Sequence, residues 1–379
     1  MMDFAYNEDQ QSLRELARKI LEDRATHERL KQIEATADRL DLELWTELAK
    51  ANLLGVAISE EYGGMGMGFL ELCILLEEVG RTVAPVPVWP TLVLGALPIA
   101  KFGSREQQRR LLPAVVTGQA LLSAALVEPG SDDLARPSTT ARRDGAAFRI
   151  DGTKLCVSAG HLARRILVPA RTAEGGVGVF LLDPKAKGVR QELQHATNHE
   201  PQTKLMLEGV AVDAADLLGD PNQGVAVVRW LEEHATAALC AMQVGVSDRA
   251  LQITARYTTG REQFGRAIAT FQAVGQRAAD AYIDLEAMRL TTQQAVWRLA
   301  EGQPAEDAVS VAKFWASEGG HAVGYAAQHL HGGIGVDIDY PIHRYYLWSK
   351  QIELTLGCAS RQLERLGVRL AEAPASEMS

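Results

Sequence analysis

The 379-residue chain is poor in cysteine: Cys73, Cys156, Cys240 and Cys358 form no CxxC pair and share no ligand spacing. That argues against a zinc site and against a disulfide framework. Apolar neighbours in sequence predict reduced, buried thiols. A surplus of basic residues is also missing. The net charge is −9 and the pI is near 5.6, whereas a nucleic-acid binder carries a basic face. The pairs Arg109-Arg110, Arg142-Arg143 and Arg164-Arg165 read as solvated side chains rather than a phosphate track. Long apolar runs are absent too, since the richest stretch, Val83 to Ala100, is broken by Pro85, Pro87, Pro90 and Pro98. Such a stretch cannot cross a bilayer as a regular helix. The opening Met-Met-Asp-Phe-Ala-Tyr-Asn-Glu-Asp has neither the basic flank nor the apolar run of a signal peptide. The expectation is a cytoplasmic protein that binds neither membrane nor nucleic acid, and holds no metal.

The texture of what remains changes twice. Apolar spacing predicts helices over about 8–34, 40–51, 69–81 and 104–117. The glycine-rich Tyr62–Gly68 stretch reads as a flexible connector, because its spacing is wrong for a phosphate-binding GxGxxG. From Leu121, short β-rich segments bounded by Gly, Asp and Pro predict strands at 122–127, 147–151, 154–157, 165–170, 177–182 and 204–212. From Val225 four long helices are expected, at about 225–259, 271–300, 304–331 and 341–371, packed as an antiparallel bundle. The fold class is therefore α+β. An N-terminal helical domain (1–120) precedes a middle β domain of barrel or sandwich type (121–224) and a C-terminal four-helix bundle (225–379). The tail 371–379 reads as disordered.

Arg261-Glu262-Gln263-Phe264-Gly265-Arg266-Ala267-Ile268-Ala269-Thr270-Phe271-Gln272-Ala273 joins two of those helices. A plain helix hairpin needs the glycine break and the apolar residues. It does not need an Arg before the turn and a Gln after it, so the turn reads as a holder of a polar ligand.

That segment, with Val274 and Ala279-Asp280, resembles the RxQFG…I…FQAV signature of the acyl-CoA dehydrogenase family. Three further stretches match in order. They are Val127-Glu128-Pro129-Gly130-Ser131-Asp132, Gly152-Thr153-Lys154 with Ser158-Ala159-Gly160, and His331-Gly332-Gly333-Ile334-Gly335 with Asp339-Tyr340-Pro341 and Arg344. Each is weak alone, but four in the right order are specific. The resemblance covers nearly the whole chain and implies an FAD-dependent removal of two hydrogens across Cα–Cβ of an acyl-CoA thioester. Electrons would pass to an electron-transfer flavoprotein. It assigns Arg261, Phe264 and Gln272 to the FAD of a neighbouring subunit, and Gly332 and Gly333 to its diphosphate. Ser131 and Ser158 fall at positions near the diphosphate and flavin N5, and His329 falls where relatives place a Gln toward the adenosine. From the residues alone, Arg261 could be a helix-end ion pair, Phe264 plain core, Gly332 and Gly333 a helix break, and His329 a packing residue. His195 and His199 read as solvated loop.

Departures from the family pattern are equally informative. Counting from Tyr340-Pro341, the usual catalytic carboxylate falls on Leu356, and a leucine cannot abstract a proton. Glu353 lies on the wrong turn by count. The alternative family position counts back from Arg261 to Ala235, leaving Glu233 as the candidate base within this chain. Otherwise Glu232 and Glu233 are first-turn carboxylates favoured by the helix dipole. Val127 and Cys156 replace the usual threonine and aromatic beside the flavin. The stretch from His329 to Gly357 resembles a subset of members that work as two-gene heteromers, several on steroid-derived CoA thioesters. A dimer of dimers with a homologous subunit is the assembly this implies. A noncatalytic FAD-binding or scaffolding partner subunit, and a flavin oxidase of the same fold, are the alternatives.

Overall fold

Asn7 opens the first helix as a capping box. Its Oδ1 accepts from Gln10 N at 2.9 Å, and Gln10 Oε1 accepts from Asn7 N at 3.0 Å. The computed structural model describes residues 4–131, 133–173, 175–220 and 223–372. The N-terminal helices are α1 (Glu8–Arg24), α2 (His27–Glu34), α3 (Leu42–Lys50), α4 (Phe69–Thr82), α5 (Leu97–Phe102) and α6 (Arg105–Val116). The single helix expected over 8–34 is two, because Ala25 leaves the helical region at φ −86°, ψ 51°. The proline-rich stretch before α5 winds as a wide π-helix, Trp89–Ala96, with every residue buried. Thr91 Oγ1 fastens it by donating to Leu122 O at 3.3 Å.

The Tyr62–Gly68 stretch is no flexible connector. Met65, Gly66 and Met67 donate their N–H groups to Gly55, Ile58 and Val56 carbonyls at 2.9–3.0 Å. A Cβ on Gly64 would meet Ile58 O at 2.0 Å, so only glycine permits that approach. Those amides, already paired, do not form a phosphate cradle.

One seven-stranded curled sheet follows: β1 (Leu122–Ala124), β2 (Thr140–Asp144), β3 (Ala147–Ser158), β4 (Arg165–Thr172), β5 (Val177–Leu182), β6 (Val189–His195) and β7 (Pro201–Asp213). The order is β1-β4-β2-β3-β7-β6, with β5 on the other edge of β4. The inward residues Phe148, Ile150, Ile166, Val168, Phe180, Leu205 and Val210 form its core. Two bulges interrupt the β3–β7 ladder. At the first, Gly209 takes φ +60° and its N–H donates to Asp151 Oδ1 at 2.7 Å. The inward phase of β7 consequently shifts from Leu205 and Leu207 to Val210 and Val212. At the second, Cys156 adopts φ +54°. The segments expected as two strands, 147–151 and 154–157, are thus one bulged strand.

The C-terminal helices are α7 (Gly224–Gly260), α8 (Gln272–Ala300), α9 (Glu306–His331), α10 (Ile342–Leu354) and α11 (Ala359–Glu372), with a small hairpin, β8 (Glu262–Gln263) and β9 (Arg266–Ala267), between α7 and α8. The helix expected over 341–371 is split by Leu356 and Gly357, at φ +57° and +96°. Of the tail expected to be disordered, Ala371 and Glu372 finish α11 and the rest lies outside the described residues.

The packing divides into two units. One is drawn from Met1–His27, Cys73–Ala84 and Thr236–Ser379, the other from Glu28–Leu72 and Pro85–Ala235. In the first, α4 and α7 cross at glycines: a Cβ on Gly80 would stand 2.1 Å from Met242 O, and one on Gly245 1.9 Å from Glu77 O. Arg14 and Arg18 reach the fully buried Glu78 at 3.2 and 2.7 Å. In the second unit, Gln107 donates to the carbonyls of Ala215 and Leu217 at 2.8 and 2.9 Å.

Candidate functional site

At the end of α7 the chain turns back through β8 and β9, with Phe264 and Gly265 as the two central residues at φ +53° and +77°. Two-residue hairpins with both central residues left-handed match the twist of their strands. Phe264 is 94% exposed. The core alternative for Phe264 is therefore wrong: the side chain projects from the tip of the hairpin. Below it, Phe271 meets Phe264 edge-on at 6.2 Å, and the Arg266 guanidinium lies 4.1 Å over the Phe271 ring. Ile268 N donates to Arg261 O at 2.8 Å, closing the base of the arm. Arg261 and Gln272 are both exposed.

The glycine turn lies at the same end of its unit. Gly332 ends α9 at φ +62°, ψ −139°, a backbone state that only glycine enters freely. No atom stands within 4 Å of a Cβ built on Gly332 or Gly333, so both present open backbone. Tyr257, four residues before Arg261, stacks on His331 at 4.4 Å, and Tyr340 packs on both rings at 6.1 and 5.3 Å. Burial pushes the His331 pKa down, although its Nδ1 sits 2.7 Å from Ala327 O. This aromatic group holds the hairpin beside the glycine turn. His331 is the packing histidine of the segment, whereas His329 is exposed. Sequence reading missed Tyr257, whose one signal was its place a single helical turn before Arg261.

In the other unit, Ser131 follows Glu128 in a tight turn, with their backbones bridged. Ser158 ends β3, is buried, and its carbonyl accepts from Ser123 Oγ at 2.6 Å. The neighbouring Asp132 lies outside the described residues. The cysteine expectation is half right: Cys73 and Cys240 are buried, but Cys156 is exposed and Cys358 half-buried. The bulge turns Cys156 outward. His195 and His199 are exposed on the β6–β7 turn.

Leu356 occupies a tightly held turn. Buried Lys313 on α9 donates to the last carbonyls of α10, Ile352 O at 2.7 Å and Glu353 O at 3.1 Å, and to Ser317 Oγ at 3.2 Å. Gln362 Nε2 reaches the carbonyls of Leu356 and Gly357 at 3.3 and 3.4 Å. Glu353 points its carboxylate at Lys350 Nζ, 2.7 Å away. Burial pulls the Lys313 pKa down to about 8, against the opposing pull of Cys240, Glu353 and Cys358. Sequence reading also missed this clamp; its trace is a lone lysine among Ala312, Phe314 and Ala316.

Glu232 and Glu233 are not first-turn carboxylates. α7 starts at Gly224, which places them more than two turns inside the helix, where the dipole argument fades. Glu232 is buried and Glu233 half-buried. The next residue, His234, stacks on Trp230 at 3.8 Å and touches Phe69 at 4.7 Å. Burial brings its pKa down to about 4, so it is neutral at pH 7.

Comparison with known proteins agrees with this architecture. The model for the acyl-CoA dehydrogenase N-terminal domain matches residues 7–119, and that for the C-terminal domain matches 222–371. The chain belongs to the acyl-CoA dehydrogenase family. Acyl-CoA dehydrogenase FadE27 of Mycobacterium tuberculosis is 41% identical, covering 99% of this chain and 100% of its own. A chain of the ChsE4–ChsE5 complex from Mycobacterium tuberculosis superposes with TM-score 0.94 at 41% identity, over 99% of this chain and 100% of that one. A chain of a Tcur3481–Tcur3483 steroid ACAD variant superposes with TM-score 0.90 at 49% identity, over 96% and 98%. Among the described residues no helix is long and apolar enough to cross a membrane.

Proposed function

We propose that this chain is one subunit of a heteromeric, FAD-dependent acyl-CoA dehydrogenase that acts on a bulky, steroid-derived CoA thioester. The observation that carries the reading is a split within the family pattern. The exposed Phe264 arm is intact, while the usual base position is Leu356 in a turn that is otherwise fully built. Phe264 is held out at the hairpin tip by Phe271 and Arg266 rather than folded back into a core, which suits an arm that reaches another chain. Two similar structures, the ChsE4–ChsE5 complex and the Tcur3481–Tcur3483 steroid ACAD, each pair two differently named subunits, and they support the same reading.

The donor set fits FAD. Arg261 offers a planar, permanently charged fork suited to a pyrophosphate. Gln272 and His329 offer hydrogen bonds to an adenosine, and Gly332 and Gly333 offer unobstructed backbone. All five are exposed on a single chain, which suits a cofactor shared with a neighbour. Ser131 and Ser158 would serve the flavin end. FAD held by these residues would supply the acceptor for the β hydrogen as hydride. The chain's residues fix the cofactor, exclude water and supply or withhold the base for the α proton. Glu233 is the candidate base within this chain. Electron-transfer flavoprotein is the proposed acceptor, and the cytoplasm the proposed location.

Leu356 favours one rival, a noncatalytic subunit that binds FAD while its partner supplies the base. One experiment separates the two. The chain is purified alone and co-expressed with a homologous acyl-CoA dehydrogenase subunit, and acyl-CoA is added anaerobically while the flavin band is recorded. Bleaching in the pair that is abolished by Glu233→Gln assigns the base to this chain. Bleaching that survives Glu233→Gln assigns it to the partner. No bound flavin in either preparation sinks the FAD reading.

A further inference from the structure

Two of the motifs named above are tied together by a buried ion pair whose members are not among the candidate ligand residues. Lys154 on β3 is fully buried, and its Nζ lies 2.7 Å from Glu128 Oε1, itself 3% exposed. The same carboxylate closes the loop that follows it. Glu128 Oε2 accepts from Ser138 Oγ at 2.6 Å and from Ser138 N, and Oε1 accepts from Thr139 N at 3.0 Å. The backbone is pinned as well, since Leu155 N donates to Val127 O at 2.9 Å. Gly152 lets β3 come close to the far end of the loop: a Cβ there would stand 2.5 Å from Thr139 Oγ1 and 2.8 Å from Thr139 Cα. Glu128 on one side and Ser138 and Thr139 on the other are thus both held against the strand that ends at Ser158.

A buried pair of this kind is a poor device for stability alone. Desolvating both charges costs several kcal/mol, and apolar replacements of similar volume are often neutral or better. What the pair does supply is a fixed register between a loop and a strand. We infer that Glu128 and Lys154 are positioning residues for the cofactor, setting Ser131 on its loop against Ser158 on β3. The inference rests on the FAD reading above. It assigns the charged residues of both motifs a task that contact with a ligand does not explain.

The test uses the full chain, with its partner subunit where the two purify together. Lys154→Met leaves a buried carboxylate without its cation, so it is paired with the neutral double variant Glu128→Gln/Lys154→Met, which keeps the shape and removes both charges. Far-UV circular dichroism and melting temperature report the fold. FAD titration by flavin fluorescence, and the fine structure of the flavin absorption band, report the site. The expected result is a double variant that folds but melts below wild type, because the carboxamide –NH2 faces a backbone N–H of Ser138 or Thr139, and that binds FAD on the order of tenfold more weakly, with a blurred flavin band. Losses of this size follow removal of groups that orient the ligands of metal sites. Wild-type affinity and spectrum in the folded double variant would overturn the inference. If neither variant folds, hydrogen exchange at the Ser138 and Thr139 amides of the FAD-free wild-type protein decides. Protection equal to that of the FAD-bound form supports a preformed clamp, and free exchange overturns it. A wild-type protein that binds no flavin at all defeats the FAD reading itself, a result distinct from equal binding by both proteins.

Discussion

Lys313 offers a quantitative test of how the turn at Leu356 is held. Its ammonium is fully buried, and burial brings its pKa from 10.5 to about 8. Below about pH 8 the lysine is charged in both folded and unfolded chains, and the penalty of burying that charge is fully present. Between about 8 and 10.5 the unfolded chain holds the proton and the folded chain does not, so stability rises with pH. The whole rise is roughly 3 kcal/mol, of which about 1 kcal/mol falls between pH 7 and 9. Replacing Lys313 by Met removes this dependence. It also takes the ammonium donor from the Glu353 carbonyl, a loss worth about 1–3 kcal/mol if that group is left unpaired, while Ile352 O keeps the Thr355 N–H at 3.3 Å. At pH 7 these two effects nearly balance, whereas at pH 9 the wild type has shed part of its penalty and the variant has gained nothing. Urea unfolding of both proteins at pH 7, 8 and 9 reads the difference. A Cys358→Ser background keeps the neighbouring thiol from titrating in the same window. Wild type should gain about 1 kcal/mol on the variant across the range. Parallel stabilities from pH 7 to 9 would refute the depressed ammonium and with it this account of the clamp.

Three further outcomes are expected. Phe264→Ala removes an exposed side chain, so stability within the chain should change by less than about 0.5 kcal/mol; flavin retention and subunit assembly, read by absorbance and size-exclusion chromatography, should fall. Gly332→Ala forces a Cβ into φ +62°, ψ −139°, which costs on the order of 1–3 kcal/mol, and the melting temperature should drop even though space around the Cβ is open. Iodoacetamide should label Cys358 first at pH 7, because its hydrogen bond with Ser360 and the α11 amides hold its pKa below the usual thiol value. Cys240, buried and pushed up to about 12, should resist until the chain unfolds; equal labelling rates at the two by peptide mass mapping would contradict this.

The helix–sheet–helix order was legible because each texture has its own period and punctuation. The misses have physical causes. β2 reads Thr-Ala-Arg-Arg-Asp and β6 is almost wholly exposed, so neither carries the apolar alternation that marks a half-buried strand. The breaks at Ala25 and Leu356 come without proline, and Leu356 takes a left-handed state that non-glycine residues enter at a cost of about 1–2 kcal/mol. The exposure of Phe264 was hidden for the opposite reason: an apolar residue beside a glycine reads equally as core or as the tip of an arm. Buried charges such as Lys154 and Lys313 were invisible as clamps, because a lysine in sequence gives no sign that its partners are carbonyls or a carboxylate brought from elsewhere in the chain.

The turn at Leu356 then carries an argument of its own. Strained backbone states cost of order 1–3 kcal/mol and persist only where the surrounding structure holds them. Here the left-handed leucine, the Lys313 contacts to Ile352 and Glu353, and the Gln362 contacts to Leu356 and Gly357 are all present together. Each has a cost: a backbone strain, a desolvated ammonium, a buried amide. Their joint presence around Leu356 shows that the shape of the turn is fixed by contacts that involve no carboxylate at that position. A subunit that positions a shared cofactor and thioester requires such a fixed shape, whichever chain supplies the base. A scaffold that never meets the substrate does not.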